Sequence, residues 1–448
     1  MKRSGNGRGQ EAAMRYRAGF ERGYEQGLAR GSETFGQPFH GTSIVIPSYN
    51  QADYLARCIE SIEHHTAEPY EIIVVDNGST DGTEDYLEKR TGQLRYRRLE
   101  TNRGFAGGVN QGLMMAKGDT IVILNNDTLV TNGWLTHMLR CLHSDSRIGA
   151  VGPVTNYISG EQQIEVPYET VEQMWNYADA YSRPDPSKWK QTDRLVGFCL
   201  LFRRELLERV GYFDEGFRIG NYEDDDWIIR IRLCGLKLVI AGDAFIHHFG
   251  SVSMKSLRNE EFQTVEGHNG QYYAGKWGNP YAWVDQARQL GFRGGTGGAD
   301  VALSGTPADL FPTQVLVQDQ GGRQYVLHEG RKYPCSGLDE KIGIQPVVLS
   351  RLDLRSIPTA EAVRSEQDIL SLLLPAPGGL IDGQIVSGGD GIAYQYCKGA
   401  VRPFVSDYAL KRWSLKERGI VHIPPEQLRS IPRGLPLIAP PVLENPVL

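Results

Sequence analysis

Leu124-Asn125-Asn126-Asp127-Thr128 closes an apolar run, Thr120-Ile121-Val122-Ile123, and Leu129-Val130-Thr131 follows it. Asn and Asp are poor strand formers, so they belong at the end of a strand. In α/β sheets, ligands bind outside the carboxyl ends of the strands. A carboxylate at such an exit can hold a hard divalent cation through oxygen, with phosphate oxygens filling the other positions. An Asx-rich strand exit is also an ordinary turn. The neighbouring segments decide between the two.

Upstream, Ser43-Ile44-Val45-Ile46-Pro47 reads as a buried strand left by Ser48-Tyr49-Asn50, and Asp53–Glu63 has helical periodicity. Glu71–Val75 is the next strand and ends in Asp76-Asn77-Gly78-Ser79-Thr80-Asp81-Gly82-Thr83. Glu84–Lys89 reads as a helix, and Leu94–Leu99 as a weaker strand. Asn102-Arg103-Gly104-Phe105-Ala106-Gly107-Gly108-Val109-Asn110 is a Gly-rich loop opening a helix through Met115. Strand alternating with helix, with polar strand exits, is the pattern of a parallel α/β sheet. Its polar exits should converge on one edge. There Asp76 can accept from a base imide or a ribose hydroxyl, the glycines of 104–108 let backbone approach a ligand, and Asp127 can take a cation bridging a diphosphate.

The combination Ile46-Pro47-Ser48-Tyr49-Asn50, Val75-Asp76-Asn77-Gly78-Ser79-Thr80-Asp81-Gly82, Asn102-Arg103-Gly104, Asn110 and Leu124-Asn125-Asn126-Asp127 resembles glycosyltransferase family 2, of the GT-A type. The resemblance covers residues 41–280. It implies an α/β nucleotide-diphospho-sugar transferase fold, with a mostly parallel central sheet and flanking helices. It also implies that Pro47, Tyr49, Asn50, Asp76, Asn102, Gly107, Asn110 and Asn126 hold the nucleotide. Asp127 then matches the last residue of the family's acidic triplet and is a ligand of Mn2+ or Mg2+. Asn125 stands where many members carry the first Asp, which leaves one carboxylate for the cation.

Further along, Tyr222-Glu223-Asp224-Asp225-Asp226-Trp227 starts a helix running to Cys234. The helix dipole and capping account for some acids there. They do not require four in a row, because like charges this close repel and raise a pKa. A raised carboxyl suits a general base. The run resembles the family's ED-x-D-W segment. By position Asp224 matches the base that deprotonates the acceptor hydroxyl, with Glu223, Asp226 and Trp227 shaping the acceptor pocket. After the Leu238–Ala241 run, Phe245-Ile246-His247-His248 supplies a His where the family places a metal or diphosphate ligand. His247 matches it, and His248 is the alternative.

The remaining composition sets limits. The chain has 448 residues, enough for two or three domains. A net charge of −6 gives no electrostatic case for nucleic acid or anionic membrane. The six cysteines are scattered and form no CxxC pair, so neither a zinc site nor a disulfide framework is indicated. No apolar run approaches a membrane span, and the basic N-terminus lacks an apolar core for a signal peptide. The expectation is a cytoplasmic protein.

Four regions follow. Residues 1–38 are an arm in which Gly19, Gly23, Gly27 and Gly31 recur every fourth residue beside Tyr16, Phe20, Tyr24 and Leu28. As a helix it would present a bare stripe for a partner backbone. Residues 39–285 are the catalytic domain and 286–305 a Gly-rich linker. Residues 306–448 read as two β-rich repeats, about 306–375 and 376–448, because Leu354-Arg355-Ser356-Ile357-Pro358 recurs as Leu428-Arg429-Ser430-Ile431-Pro432. The expected function is metal-dependent inverting transfer from a UDP- or dTDP-sugar to a glycan or protein hydroxyl. The arm or the repeats are the expected contacts of a homo-oligomer. The competing reading is a catalytically degenerate scaffold that binds glycan or protein, and Asn125 is its support.

Overall fold

A computed structural model describes residues 37–92, 94–250, 259–293, 307–338, 343–360, 366–373 and 380–445. The expected arm helix and most of the linker lie outside these residues. Residues 41–448 form one compact unit. Of the preceding unit, only Gln37–His40 are described, ending in the first residues of a strand.

The first strands behave as their apolar runs require. Strand β1 (Phe39–Ser48) is followed by helix α1 (Ala52–His65), β2 (Tyr70–Asp76), α2 (Thr83–Lys89), β3 (Arg95–Arg98), α3 (Gly104–Met115) and β4 (Gly118–Leu124). β1 and β2 are parallel from Thr42↔Tyr70 to Ser48↔Asp76, so the two polar exits leave the sheet side by side. Then come β5 (Thr128–Val130), α4 (Trp134–Ser144), β6 (Ile148–Val154), α5 (Val171–Tyr181), β7 (Trp189–Thr192), β8 (Cys199–Arg203) and α6 (Leu206–Val210). The domain ends with α7 (Glu223–Leu233), β9 (Lys237–His248), α8 (Asn259–Trp277) and α9 (Pro280–Arg293). α9 runs across the expected boundary at 285 into the expected linker.

The strand order is β3-β2-β1-β4-β8-β6-β9-β5, with β7 on β9. The sheet is mixed rather than mostly parallel. β8 enters antiparallel between β4 and β6, and β5 and β7 pair antiparallel with β9. β4 to β8 includes Leu124↔Cys199, which brings the loop before β8 to the Asn125 exit. Helices cover both faces. Leu55, Ile59 and Ile62 of α1 and Trp134 and Met138 of α4 bury one face. Val109 of α3, Met174 of α5 and Trp227 of α7 bury the other.

The glycines of α3 serve this packing. A Cβ on Gly112 would lie 2.2 Å from a Val45 methyl, and one on Gly108 would lie 3.3 Å from Pro47 Cβ. They let the helix sit directly on β1 and β2, where the sequence suggests a backbone approach to a ligand.

Beneath α7 lies a buried charge cluster. Lys276 Nζ contacts Asp214 at 2.5 Å and Asp226 at 2.6 Å, and Arg230 contacts Asp226 at 3.0 Å. Each charge has a partner, which is the condition under which burial is tolerated.

The C-terminal region holds two four-stranded sheets. The first comprises β10 (Val315–Gln318), β11 (Gln324–His328), β12 (Arg331–Cys335) and β13 (Val347–Val348), followed by helix α10 (Arg351–Ser356) and, farther on, α11 (Glu366–Leu373). The second comprises β14 (Ile385–Ser387), β15 (Tyr394–Cys397), β16 (Ala400–Pro403) and β17 (Val421–His422), with α12 (Asp407–Arg412) before β17 and α13 (Pro425–Ser430) after it. The orders β12-β11-β10-β13 and β16-β15-β14-β17 correspond strand for strand. Both hairpins turn on a left-handed pair, Glu329-Gly330 and Lys398-Gly399, as type I′ turns require.

The sheets pack on each other and on the catalytic elements. Gln395 exchanges hydrogen bonds with the Thr313 backbone. One apolar cluster joins Ile229 and Leu233 of α7 to Trp277, Val315, Phe404 and Trp413. Among the described residues no helix is long and apolar enough to cross a membrane.

Candidate active site

The strand exits open on a cleft of about 320 Å3. One wall holds Pro47, Ser48, Tyr49, Asn77 and Asn102, and the floor holds Asn125, Asn126 and Asp127. The far wall holds Ile219, Gly220, Asn221, Glu223 and Asp224, with His248 and Phe198 beside them. Residues 47 to 248 therefore meet in one place.

On the strand-exit wall, Asn77 staples the loop after β3. Its Nδ2 donates to Asn102 Oδ1 (3.0 Å) and to the Gly104 carbonyl (2.8 Å), and its Oδ1 accepts from Arg103 N–H. Asp76 is buried; its Oδ1 accepts from Ser79 N–H, while Oδ2 has no hydrogen-bond partner among the described residues and lies 3.8 Å from Arg98 Nε. Asn126 Nδ2 donates to Ser48 Oγ.

Four expected nucleotide contacts do not line the cleft: Asp76, buried behind it, and Asn50, Gly107 and Asn110. Asn50 Oδ1 accepts from Thr80 N–H, tying the β1 exit to the β2 loop. Gly107 is buried in α3, where a Cβ would meet Arg103 Cβ at 2.7 Å. Asn110 is fully buried and bonds the Phe213 backbone and Glu215 Oε1. α3 continues past Gly104 as regular helix, so these positions serve packing.

The expected metal pair also changes. Successive residues of a strand face opposite sides, so only one of His247 and His248 can face Asp127. The register Thr128↔His248 selects the second. His248 Nε2 lies 3.2 Å from Asp127 Oδ1. His247 turns away, its Nδ1 2.8 Å from the Tyr168 hydroxyl, and burial pushes its pKa down to about 4.

A divalent cation fits the His248 side. His248 Nδ1 is 2.8 Å from the Tyr157 carbonyl, which can only accept, so the proton sits on Nδ1. In that tautomer Nε2 presents a lone pair toward the Asp127 carboxylate. Among the described residues that buried nitrogen has no hydrogen-bond partner. A bound cation resolves this opposition. Among the described residues no group of three His, Cys, Asp or Glu side chains could hold a metal ion.

The acidic run divides by function. Glu223 and Asp224 line the cleft; Asp226 and Trp227 do not. Asp226 belongs to the Lys276 cluster and accepts from Trp277 Nε1. Trp227 donates to the Gly211 carbonyl and stacks on Phe213 at 4.9 Å. Helical rotation accounts for this: residues two and three beyond Asp224 point into the core. Asp225 pairs with Arg194 at 2.6 Å.

Asp224 Oδ2 accepts from Gly197 N–H, and a Cβ on Gly197 would lie 3.0 Å from Asp224 Cβ, so a side chain there would crowd Asp224. Burial, then the Asp225 charge, pushes Asp224 up to about 6. Burial, then Asp224, pushes Glu223 up to about 8, and its Oε2 has no hydrogen-bond partner among the described residues. Both carboxyls are raised, Glu223 the more, which favours one proton shared by the pair with Glu223 as its main seat.

Sequence reading missed Ser48, Asn77, Phe105, Val196–Phe198 and Ile219–Asn221 as cleft residues. Asn77 carried a signal, an amide directly after the Asp76 exit. Ser48 and Phe105 lie inside stretches the sequence already marked, the first strand exit and the Gly-rich loop; Val196–Phe198 and Ile219–Asn221 lie in segments placed only by tertiary folding.

Residues 43–211 match the model of glycosyl transferase family 2. The fold is of the GT-A nucleotide-sugar transferase type, and the match supports glycosyltransferase activity. Similar proteins include the glycosyltransferase GlyG of Streptococcus pneumoniae, 25% identical over 213 residues, 45% of this chain and 68% of that one. YfnE of Bacillus subtilis, an uncharacterized glycosyltransferase, is 24% identical over 250 residues, 46% of this chain and 64% of that one. The chain spans about two thirds of the length of these relatives. The N-acetylglucosaminyl-diphospho-decaprenol L-rhamnosyltransferase of Mycobacterium tuberculosis is 25% identical over 279 residues, 54% of this chain and 88% of that one. A mannosyltransferase from Pyrobaculum calidifontis, solved with GDP-Man and Mn2+, aligns at 20% identity and a TM-score of 0.37, covering 60% and 71% of the two chains.

Proposed function

We propose that this family 2 domain is a metal-dependent inverting glycosyltransferase, moving a sugar from a UDP- or dTDP-sugar to a hydroxyl of a surface glycan or protein. The observation that carries the reading is the meeting of Asp127, His248, Glu223 and Asp224 in one cleft. Asp224, ionised at neutral pH, takes the proton from the acceptor hydroxyl. The freed oxygen attacks the anomeric carbon from the face opposite the diphosphate. Protonated Glu223 beside it donates a hydrogen bond to a sugar hydroxyl and keeps a second negative charge away from the base. Asp76, Asn77, Asn102 and Asn126 hold the nucleotide, and Tyr49 at the mouth offers a ring to the base. Asp127 and His248 would hold Mn2+ or Mg2+, which offsets charge on the leaving diphosphate.

The two C-terminal sheets are read as one unit duplicated, supported by their matching strand order and hairpin turns. Their packing against α7 suits acceptor recognition or subunit contact. Six free cysteines fit a reducing compartment such as the cytoplasm.

The test is release of nucleoside diphosphate from UDP-, dTDP- and GDP-sugars, with Mn2+ and with chelator. Release that stops on chelation supports the reading. Nucleotide binding with no release under any condition favours a degenerate scaffold.

A further inference from the structure

The residues just ahead of the base follow an unusual path. Ile219, Asn221 and Tyr222 have φ of 58°, 80° and 73°. A β-branched residue in the left-handed region is an outlier. Such backbone persists only where its surroundings over-determine it.

Two elements hold it. On the α3 side, Phe105 N–H donates to the Ile219 carbonyl at 2.6 Å. Gly104 (φ 71°) lies so close that a Cβ would be 3.0 Å from Ile219 N. On the other side stands Asn269 of α8, fully buried. Its Oδ1 accepts from Arg218 N–H (2.9 Å), and its Nδ2 faces the carbonyls of Arg218 (2.9 Å), Gly220 (2.8 Å) and Asn221 (3.1 Å). One turn earlier, Glu266 accepts from Asn221 Nδ2 (3.0 Å) and from the Tyr222 hydroxyl (3.1 Å).

This segment is also the far wall of the cleft. Ile219, Gly220 and Asn221 line it, and Tyr222 is the cap from which Glu223 and Asp224 start α7. We propose that Asn269 is a positioning residue: by holding Arg218–Tyr222 in its left-handed path, it sets the place of Asp224 opposite the nucleotide wall. The inference rests on the reading of Asp224 as the base. Asn269 does not line the cleft, and it lies outside the residues matched to the family, 43–211.

A displacement of about 1 Å in a reacting group costs on the order of 10²-fold in rate. Asn269→Ala removes the contacts to Arg218, Gly220 and Asn221. UDP-N-acetylglucosamine, dTDP-rhamnose and GDP-mannose are offered with Mn2+, and the donor that the wild type consumes is kept. Asn269→Ala is expected to lower kcat by on the order of 10²-fold, with the released nucleoside diphosphate binding within about threefold of wild type. The acid limb of kcat should also move, because Glu223, Asp225 and Arg194, the charged groups facing Asp224, change their distances. A partly unfolded enzyme loses turnover equally at every pH and loses binding stoichiometry in proportion, so the limb separates positioning from folding.

Should Asn269→Ala fail to fold, Glu266→Ala, which frees Asn221 and Tyr222 only, is expected to give a roughly tenfold loss with the same limb shift. Wild-type kcat in Asn269→Ala, or in Glu266→Ala where that variant stands in, overturns the inference and leaves the enzyme reading intact. A loss uniform in pH and matched by binding stoichiometry in both variants also overturns it. A wild type that consumes none of the donors overturns the enzyme reading and this inference with it.

Discussion

The wall carrying Ser48, Asn77, Asn126 and Asp127 is made of strand exits, whereas the wall carrying Ile219, Gly220, Glu223 and Asp224 is a loop entering a helix. The first inherits its geometry from the ladder, since Ser48 and Asp76 are register partners. The second inherits it from residues distant in the chain: the backbone of Gly104 and Phe105 before it, and the side chains of Glu266, Asn269 and Lys276 after it. The C-terminal tail joins in, because Val442 N–H donates to Asp214 and the Glu444 and Asn445 N–H groups donate to Glu215. The proposed nucleotide wall and the proposed base thus rest on separate supports. Substitutions can divide them.

The sharpest division is Asp224→Asn. It removes the base and leaves the strand exits intact, so turnover should fall ~10²–10⁴-fold while nucleoside diphosphate binding by calorimetry stays unchanged. Equal loss of both would mean that the walls are not independent. Next comes the histidine pair. His248→Ala should raise the Mn2+ concentration for half-maximal activity by roughly tenfold or more. His247→Ala should change it by less than about threefold, as expected for a residue outside the metal shell. The reverse ranking would return the ligand to His247 and break the alternation argument.

The smallest effect is on stability. Glu223 has a folded pKa of about 8, above its ordinary 4.5. The stability it contributes is full below 4.5, falls as pH rises and is gone above 8. Gln cannot ionise, so the melting temperature of Glu223→Gln should exceed that of the wild type by a margin that opens between pH 4.5 and 8 and then stays constant. A margin on the order of 2 °C is expected. A margin independent of pH would show that Glu223 is not desolvated.

The strand-exit wall was largely legible in sequence. Apolar runs ending in Asp76-Asn77 and in Asn125-Asn126-Asp127 can hardly be anything but strand ends, and strand ends of one sheet share an edge. The acidic run likewise marked Glu223 and Asp224. The errors share a cause. Gly107 and Asn110 read as ligand contacts through the family resemblance, yet Gly107 is closed off by Arg103 one turn earlier and Asn110 by Phe213 and Glu215. Asp226 and Trp227 share a run with the base and were read with it, although helix phase turns them into the core. His247 and His248 are chemically identical in sequence, and only pairing to β5 distinguishes them.

Local chemistry by itself determined the strand exits, the carboxylate of Asp127 at one of them and the acidic helix start, because each depends on residues within a few positions of one another. Only the tertiary structure decided which histidine meets Asp127, which acids of the run reach the cleft and what holds the left-handed segment before them. Those outcomes depend on strand register, helix phase and contacts across long stretches of chain. Such quantities are set by the balance of packing over the whole core, and no local run of residues encodes them.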